Sequence, residues 1–395
     1  MSIYDQFGVR TIINAKGPST RLSGGFLDAE VSAAMAEAAS YCVEMAELQA
    51  GASKVISEIT GAEAGIVTSG AAAGLLLGTA ACMAGLAPGK MSRLPDTRDT
   101  KMEVIMVRSQ RNFYDHAVRT AGALIVEVGL PDRYAGAGVR DAEPWEIEDA
   151  ISQKTAAICY VAGQRSQPPL PDVVRVAHHA GIPVLVDAAG QLPPVSNLRH
   201  FLSEGADLVT FSGGKAIGGP QGSGILAGKR DLIMSALLQN LDLDIYWEQW
   251  DPPRSIIDKN RLSGAPHHGI GRPCKVGKET VIGLLVALRR FAAESDESRT
   301  RRLQSLVQRL YTALAGVDHA RIQMTTGLVP KVELQLSRDI PRTAMELCIE
   351  LERGNPSVHA DASQARSGIV IFNPWCLREG DPEKIAARVK PLLRY

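Results

Sequence analysis

The chain has 395 residues, 45% of them hydrophobic, and 43 Lys+Arg balance 43 Asp+Glu to a formal net charge of zero. That length suits two or three domains, and the charge balance argues against nucleic acid or an anionic membrane surface as the main partner. No apolar run reaches the ~18 residues that span a bilayer, the opening MSIYDQFGVRTIINAKG has no basic stretch followed by an apolar core, and Cys42, Cys82, Cys159, Cys274, Cys348 and Cys376 form no C-x-x-C pair. The expectation is a cytoplasmic protein with reduced thiols and no metal site.

From the N-terminus, the Ala/Glu-rich span of about 30–60 has the apolar spacing of one or two helices. Short apolar runs then alternate with helical patterns. The runs predict strands at Gly65–Thr68, Glu103–Val107, Leu124–Val128, Ala156–Val161, Pro183–Val186, Leu208–Phe211 and Gly224–Ala227. Helices are predicted at Ala71–Ala84, Trp145–Ser152, Pro171–Ala180 and Leu198–Ser203, with His178 and His179 solvated on the third. Strands separated by helices imply an α/β fold, a mainly parallel seven-stranded sheet covered on both faces. From about Lys275 the pattern changes. A long helical stretch leads to strands near Ile322–Met324 and Val332–Leu336, a helix near Ala344–Glu352, a strand at Gly368–Phe372 and a last helix near Pro382–Leu393. The expected division is an N-terminal arm and helix (1–50), a large domain (51–270) and a small α+β domain (271–395).

Ligands of open α/β sheets bind beyond the carboxyl ends of the strands, and three predicted strand ends carry unusual residues. GIVTSGAAAG runs from a strand through Ser69 and Gly70 into a small-residue helix beginning at Ala71, which sets backbone N–H groups toward an anion; the alternative is a helix that needs small residues only for packing. IPVLVDAAGQ ends a strand on Asp187, either a negative partner for a ligand or a cap for the next helix. ADLVTFSGGKAIGGPQGSG runs from an apolar strand through Ser212 to Lys215, wrapped in glycines that let a ligand lie against the backbone. A phosphate cradle, an anion for a protonated ring nitrogen and an amine that attacks an aldehyde are together what pyridoxal 5′-phosphate (PLP) requires.

TSGAAAG, VDAAG and FSGGKAIGGPQGSGILAG resemble the fold-type I PLP enzymes over essentially the whole chain. Within them, GGPQGSGILAGKRDLI resembles the branch containing bacterial selenocysteine synthase. INAKGPSTRLSGG and RNFYDHAVRTAGA are most similar to its D-glucosaminate-6-phosphate ammonia-lyase group. The resemblance implies that Lys215 forms the Schiff base with PLP, Asp187 pairs with the pyridine nitrogen, and Ser69, Gly70, Ala71 and Ser212 hold the phosphate. It places His116 over the cofactor's face, in reach of substrate protons, and Gln191 near the 3′-oxygen. Substrate anions are expected at Arg272, Lys275 and His268 of HHGIGRPCKVGKE, and at Arg21 and Arg366. Cys274, with no base fixed beside it, is expected to be structural.

The activity implied by the resemblance is that of a PLP-dependent lyase, which eliminates water and ammonia from a hydroxylated, phosphorylated sugar-derived amino acid to give a 2-keto acid. Racemase, epimerase or aminotransferase chemistry shares the Cα-carbanion step. Seryl-tRNA selenium transfer is disfavoured by the zero net charge. The resemblance also implies a homodimer or higher homo-oligomer.

Overall fold

The computed structural model describes residues 2–98, 100–130 and 141–394. It forms two compact units, Met1–Phe26 with Ala293–Tyr395, and Leu27–Ala292. The division falls at neither 50 nor 270. The helices Ala29–Ala39, Met45–Thr60 and Lys278–Ala293 all bury side chains in the core of the larger unit, among them Val31, Ala52, Ile56, Val281, Leu284 and Leu288.

In chain order the described strands are β1 (Ile12–Ala15), β2 (Ala64–Thr68), β3 (Glu103–Val107), β4 (Leu124–Val128), β5 (Thr155–Val161), β6 (Val184–Asp187), β7 (Leu208–Ser212), β8 (Gly224–Gly228), β9 (Ala320–Met324), β10 (Val332–Leu336), β11 (Ser357–Ala360) and β12 (Ile369–Phe372). The larger unit holds a seven-stranded sheet in the order β2-β8-β7-β6-β5-β3-β4. Only β8 is antiparallel to its neighbours; the remaining pairs are parallel. β6 is buried throughout, and β5 and β7 are buried except at their last residues, as strands covered on both faces must be.

The helix Ala71–Ala84 is the packing centre of one face. Almost all of its residues are buried, so it shows no polar side. Its glycines set how closely it lies on the sheet. A Cβ on Gly78 would stand 3.0 and 3.2 Å from the Leu185 methyls, and one on Gly74 would collide with the Thr210 hydroxyl.

At the amino ends of the parallel strands, Asp207 is 1% exposed. It accepts hydrogen bonds from Val184 N at 2.7 Å and His178 Nε2 at 2.9 Å, and pairs with Lys229 Nζ at 2.5 Å. His178 is exposed, as its helix position suggests, and still spends one ring nitrogen on this buried acid.

In the smaller unit, β12-β10-β9 form an antiparallel sheet and β1 pairs in parallel with β11. Ile13, Leu310, Val332, Leu334, Leu347 and Phe372 are among its core residues. The helical stretch of about 275–316 is two helices, Lys278–Ala293 and Asp296–Leu314, because the Ser295 hydroxyl caps the second by accepting from Ser298 N at 3.1 Å. No helix among the described residues is long and apolar enough to cross a membrane.

Candidate active site

The strand directions put the ends of β2, β6 and β7 on one edge of the large sheet. β8 starts at that edge, and its Gly224 stands opposite both Thr68 and Ser212. A Cβ on Gly224 would lie within 2.6 Å of Ala71 N, so only glycine lets β8 pass under the start of the helix Ala71–Ala84. Gly70, at φ +111°, turns the chain into that helix, and among the described residues no side chain caps it. Uncapped N–H groups therefore face the same edge as Ser212. The Ser69 hydroxyl donates to the Cys274 carbonyl at 2.9 Å. Donation to a phosphate requires it to turn away from that bond.

Asp187 closes β6 and is 8% exposed. It caps no helix, since the next one starts at Asn197. Among the described residues its carboxylate accepts a single hydrogen bond, from Ala189 N at 3.0 Å. Burial holds its pKa above the ordinary carboxylate value, against the opposing pull of that bond and of the Lys215 charge. Lys215, half-buried just past β7, makes no side-chain hydrogen bond or ion pair among the described residues. Its glycines are sterically required. A Cβ on Gly214 would lie 2.5 Å from Gln221 backbone, and one on Gly213 2.5 Å from a Leu284 methyl.

A recess beside Asp187 is lined by Asn112, Tyr114, Asp115, Cys159 and Val161. Burial first, and then the nearby Asp187, push the Cys159 thiol well above the usual range. Asp115 is 6% exposed and neutralised from two sides, by Arg111 at 2.6 Å and Arg119 at 3.2 Å. His116 follows it on the short helix Asp115–Thr120. It is exposed and does not line the recess, and its Nδ1 lies 3.0 Å from Arg119 Nη2. Gln191 is half-buried, and among the described residues its side chain has no hydrogen-bond partner.

The basic segment is held against the Ser69 turn by its backbone. Besides the bond to Ser69, the Cys274 carbonyl accepts from Asn240 Nδ2 at 3.2 Å, and the Gly271 carbonyl from the same amide at 2.9 Å. Arg272 pairs with Asp242 at 2.6 Å, while His268 and Lys275 are exposed. The Cys274 thiol is pushed up by burial. Arg21 and Arg366 belong to the smaller unit. There Arg21 pairs with Glu352 at 3.4 Å and Arg366 is exposed. Among the described residues no cluster of His, Cys, Asp and Glu could hold a metal ion, and all six cysteines are free.

Sequence reasoning missed Asn112, Tyr114, Asp115 and Thr210. Asp115 had a readable signal: Arg111 and Arg119 flank it at four residues on either side, the spacing of neighbours on a helix face. Thr210, opposite Asp187 in the β6–β7 register, hydrogen-bonds Ile225 O at 2.9 Å and Ala71 O at 3.4 Å, tying β7 to β8 and to the start of the helix Ala71–Ala84.

Comparison with known proteins gives concordant matches. A family model for L-seryl-tRNA selenium transferase matches residues 29–243. The 5′-C-glycyluridine monooxygenase-decarboxylase of Streptomyces sp. is 30% identical, over 99% of this chain and 92% of its own. The D-glucosaminate-6-phosphate ammonia lyase of Salmonella typhimurium is 28% identical, over 100% of this chain and 98% of its own. A solved structure of D-glucosaminate-6-phosphate ammonia-lyase superposes with a TM-score of 0.82 at 27% identity, covering 100% of this chain and 98% of the other. A serine palmitoyltransferase from S. paucimobilis, solved with a PLP–myriocin adduct, shares the fold alone, at 13% identity and TM-score 0.54 over 96% and 87% of the two chains. The architecture is that of the fold-type I PLP enzymes.

Proposed function

The chain belongs to the L-seryl-tRNA selenium transferase family, and on that premise we propose that it is a PLP-dependent ammonia-lyase/dehydratase. Its substrate is then a hydroxylated, phosphorylated sugar-derived amino acid, which loses water across Cα–Cβ; the enamine so formed takes up water again in hydrolysis, so that ammonia and a 2-keto acid are the net products. One observation carries the reading. A buried carboxylate that accepts a single hydrogen bond among the described residues, Asp187, feels the charge of an amine that has no partner among them, Lys215, on a chain that aligns end to end with D-glucosaminate-6-phosphate ammonia lyase.

The residues fit the cofactor. Asp187 has spare acceptor capacity and a raised pKa that a cationic ring nitrogen would relieve. The uncapped helix start at Gly70 and Ala71 suits the phosphate, with Ser69 and Ser212 beside it. Gln191 is assigned to the 3′-oxygen and His116 to the ring face. When bound, PLP supplies an electron sink for charge developing at the substrate's Cα. Lys215 is the base at that carbon and must be neutral to act. Arg272, Lys275 and His268 are assigned to the substrate's phosphate or carboxylate. We infer a cytoplasmic homodimer or higher homo-oligomer acting on a small molecule, without a nucleic-acid partner.

A second reading, oxygen-dependent decarboxylation, is favoured by the 30% identity to the monooxygenase-decarboxylase. One screen separates them. PLP-loaded protein is offered hydroxylated amino acids and amino-sugar acids, phosphorylated and not, while ammonia, 2-keto acid, oxygen uptake and carbon dioxide are followed. Equal ammonia and keto acid without oxygen uptake supports the lyase. Oxygen uptake with carbon dioxide supports the alternative. A need for a keto-acid co-substrate indicates an aminotransferase, and α-deuterium loss with substrate retained indicates a racemase. Lys215→Ala should abolish turnover and the visible band of the bound cofactor; a variant that keeps both ends the PLP assignment.

A further inference from the structure

We propose that Arg119 is a positioning residue that locks His116 into its neutral Nε2–H tautomer, so that the ring offers the site a hydrogen-bond donor and not a base. This rests on the reading of His116 as the ring on the cofactor's face. Arg119 Nη2 lies 3.0 Å from His116 Nδ1. A guanidinium carries five N–H donors and no acceptor, so a hydrogen bond there needs the Nδ1 lone pair. The single proton of the neutral imidazole then sits on Nε2.

Arg119 is itself held. Its Nε and Nη2 donate to Asp115 Oδ1 at 3.3 and 3.2 Å. Asp115, at the recess wall, is fixed from its other oxygen by Arg111 Nε at 2.6 Å. Arg111 also pairs with Glu127, which Arg108 Nε reaches at 2.8 Å. The Thr120 hydroxyl donates to the His116 carbonyl at 2.7 Å, fixing the backbone of the same turn. A proton on Nδ1 would point at N–H groups that this network prevents from turning away. Nε2 therefore arrives occupied, suited to an oxygen acceptor on substrate or cofactor, and the Cα proton is left to Lys215.

The test is the nitrogen spectrum of ¹⁵N-histidine-labelled protein at about pH 8.5, above the ordinary imidazole range, with His116→Gln assigning the signals. A pyridine-type Nδ1 and a pyrrole-type Nε2 are expected. Arg119→Met should admit the Nδ1–H form and lower kcat more than it changes KM, with guanidinium in solution restoring the rate. A pyrrole-type Nδ1 in the wild type, or ring signals that Arg119→Met does not move, would overturn the proposal. Arg119 is 46% exposed, so the variant should fold; if it does not, the wild-type spectrum decides alone. The spectrum needs no turnover, so a locked ring in a protein without lyase activity ends the lyase reading and leaves this inference standing.

Discussion

Two buried aspartates, one closing β6 and one just ahead of its neighbour β7, meet opposite fates. Asp207, just ahead of β7, is satisfied three times over by Val184 N, His178 and Lys229. Asp187, at the far end of β6, keeps one hydrogen bond among the described residues, from Ala189 N, while burial raises its pKa. A buried carboxylate is tolerated when paired and bonded. The first therefore reads as a fastening between strands. The second reads as a charge kept short of partners until a ligand brings one. On the proposed reading, completeness of bonding, more than burial, separates the structural acid from the one that serves a ligand.

Exchanging each for its neutral isostere tests that contrast. Asp187→Asn should cut turnover by about 10²–10³-fold, the usual size for loss of a preorganised electrostatic partner. It should leave the melting temperature of the cofactor-free protein equal or higher. Asp207→Asn should do the reverse. It should cost about 2–3 kcal/mol in denaturant unfolding, because the charged hydrogen bonds are lost and the new amide NH2 must face either the Lys229 ammonium or the donors Val184 N and His178, while the folded fraction keeps its turnover per bound cofactor. If Asp187→Asn unfolds the chain, or Asp207→Asn spares it and stops catalysis, the roles are the other way round.

The same contrast explains what could be read in advance. Asp187 and Lys215 were legible because each follows an apolar run long enough to be a buried strand, and a polar residue there demands a reason. The helix Ala71–Ala84 and the strand Val332–Leu336 were legible to the residue, since each pattern is unbroken and bounded by glycine or a charge. Asp207 was not read, because its partner His178 lies a helix turnaround and a strand away. β1 and β11 were also missed. Each has four residues, and each finds its partner at the opposite end of the chain. The division at 292 was hidden because the helices on either side of it, Lys278–Ala293 and Asp296–Leu314, are both amphipathic, and the switch of core between them leaves no mark in composition. The Asp115 network was spelled out at helical spacing, but its meaning depends on the recess that only folding creates.

A smaller effect is expected where the helix that presents the anion-facing N–H groups touches β6. Gly78→Ala places a methyl 3.0 Å from Leu185 and 3.4 Å from Leu208. It should cost about 1–3 kcal/mol by overpacking and, by lifting the helix, weaken PLP retention more than Asp207→Asn does at equal stability. Equal retention in the two variants would mean that helix placement does not matter to the cradle.

The smallest effect concerns pH, and its sign follows from the raised pKa of Asp187. The unfolded chain releases this proton near the ordinary carboxylate value of about 3.9, and the folded chain releases it at higher pH. Between the two values the folded state holds more protons, so stability falls as pH rises through that window. Below it the group contributes no penalty. Above it the cost of an ionised, under-bonded carboxylate is complete. Cofactor-free wild type should therefore lose stability relative to Asp187→Asn as pH climbs from about 4, then run parallel to it once the folded carboxylate has ionised. Loading PLP should close the gap, because a cationic ring nitrogen gives the ionised carboxylate its missing partner and reverses the direction of the shift. Thermal melts of the two proteins across pH, with and without PLP, measure this directly. A wild type that gains stability over the variant along the same climb without cofactor would mean that Asp187 is already paired in the folded chain, and the difference from Asp207 would vanish.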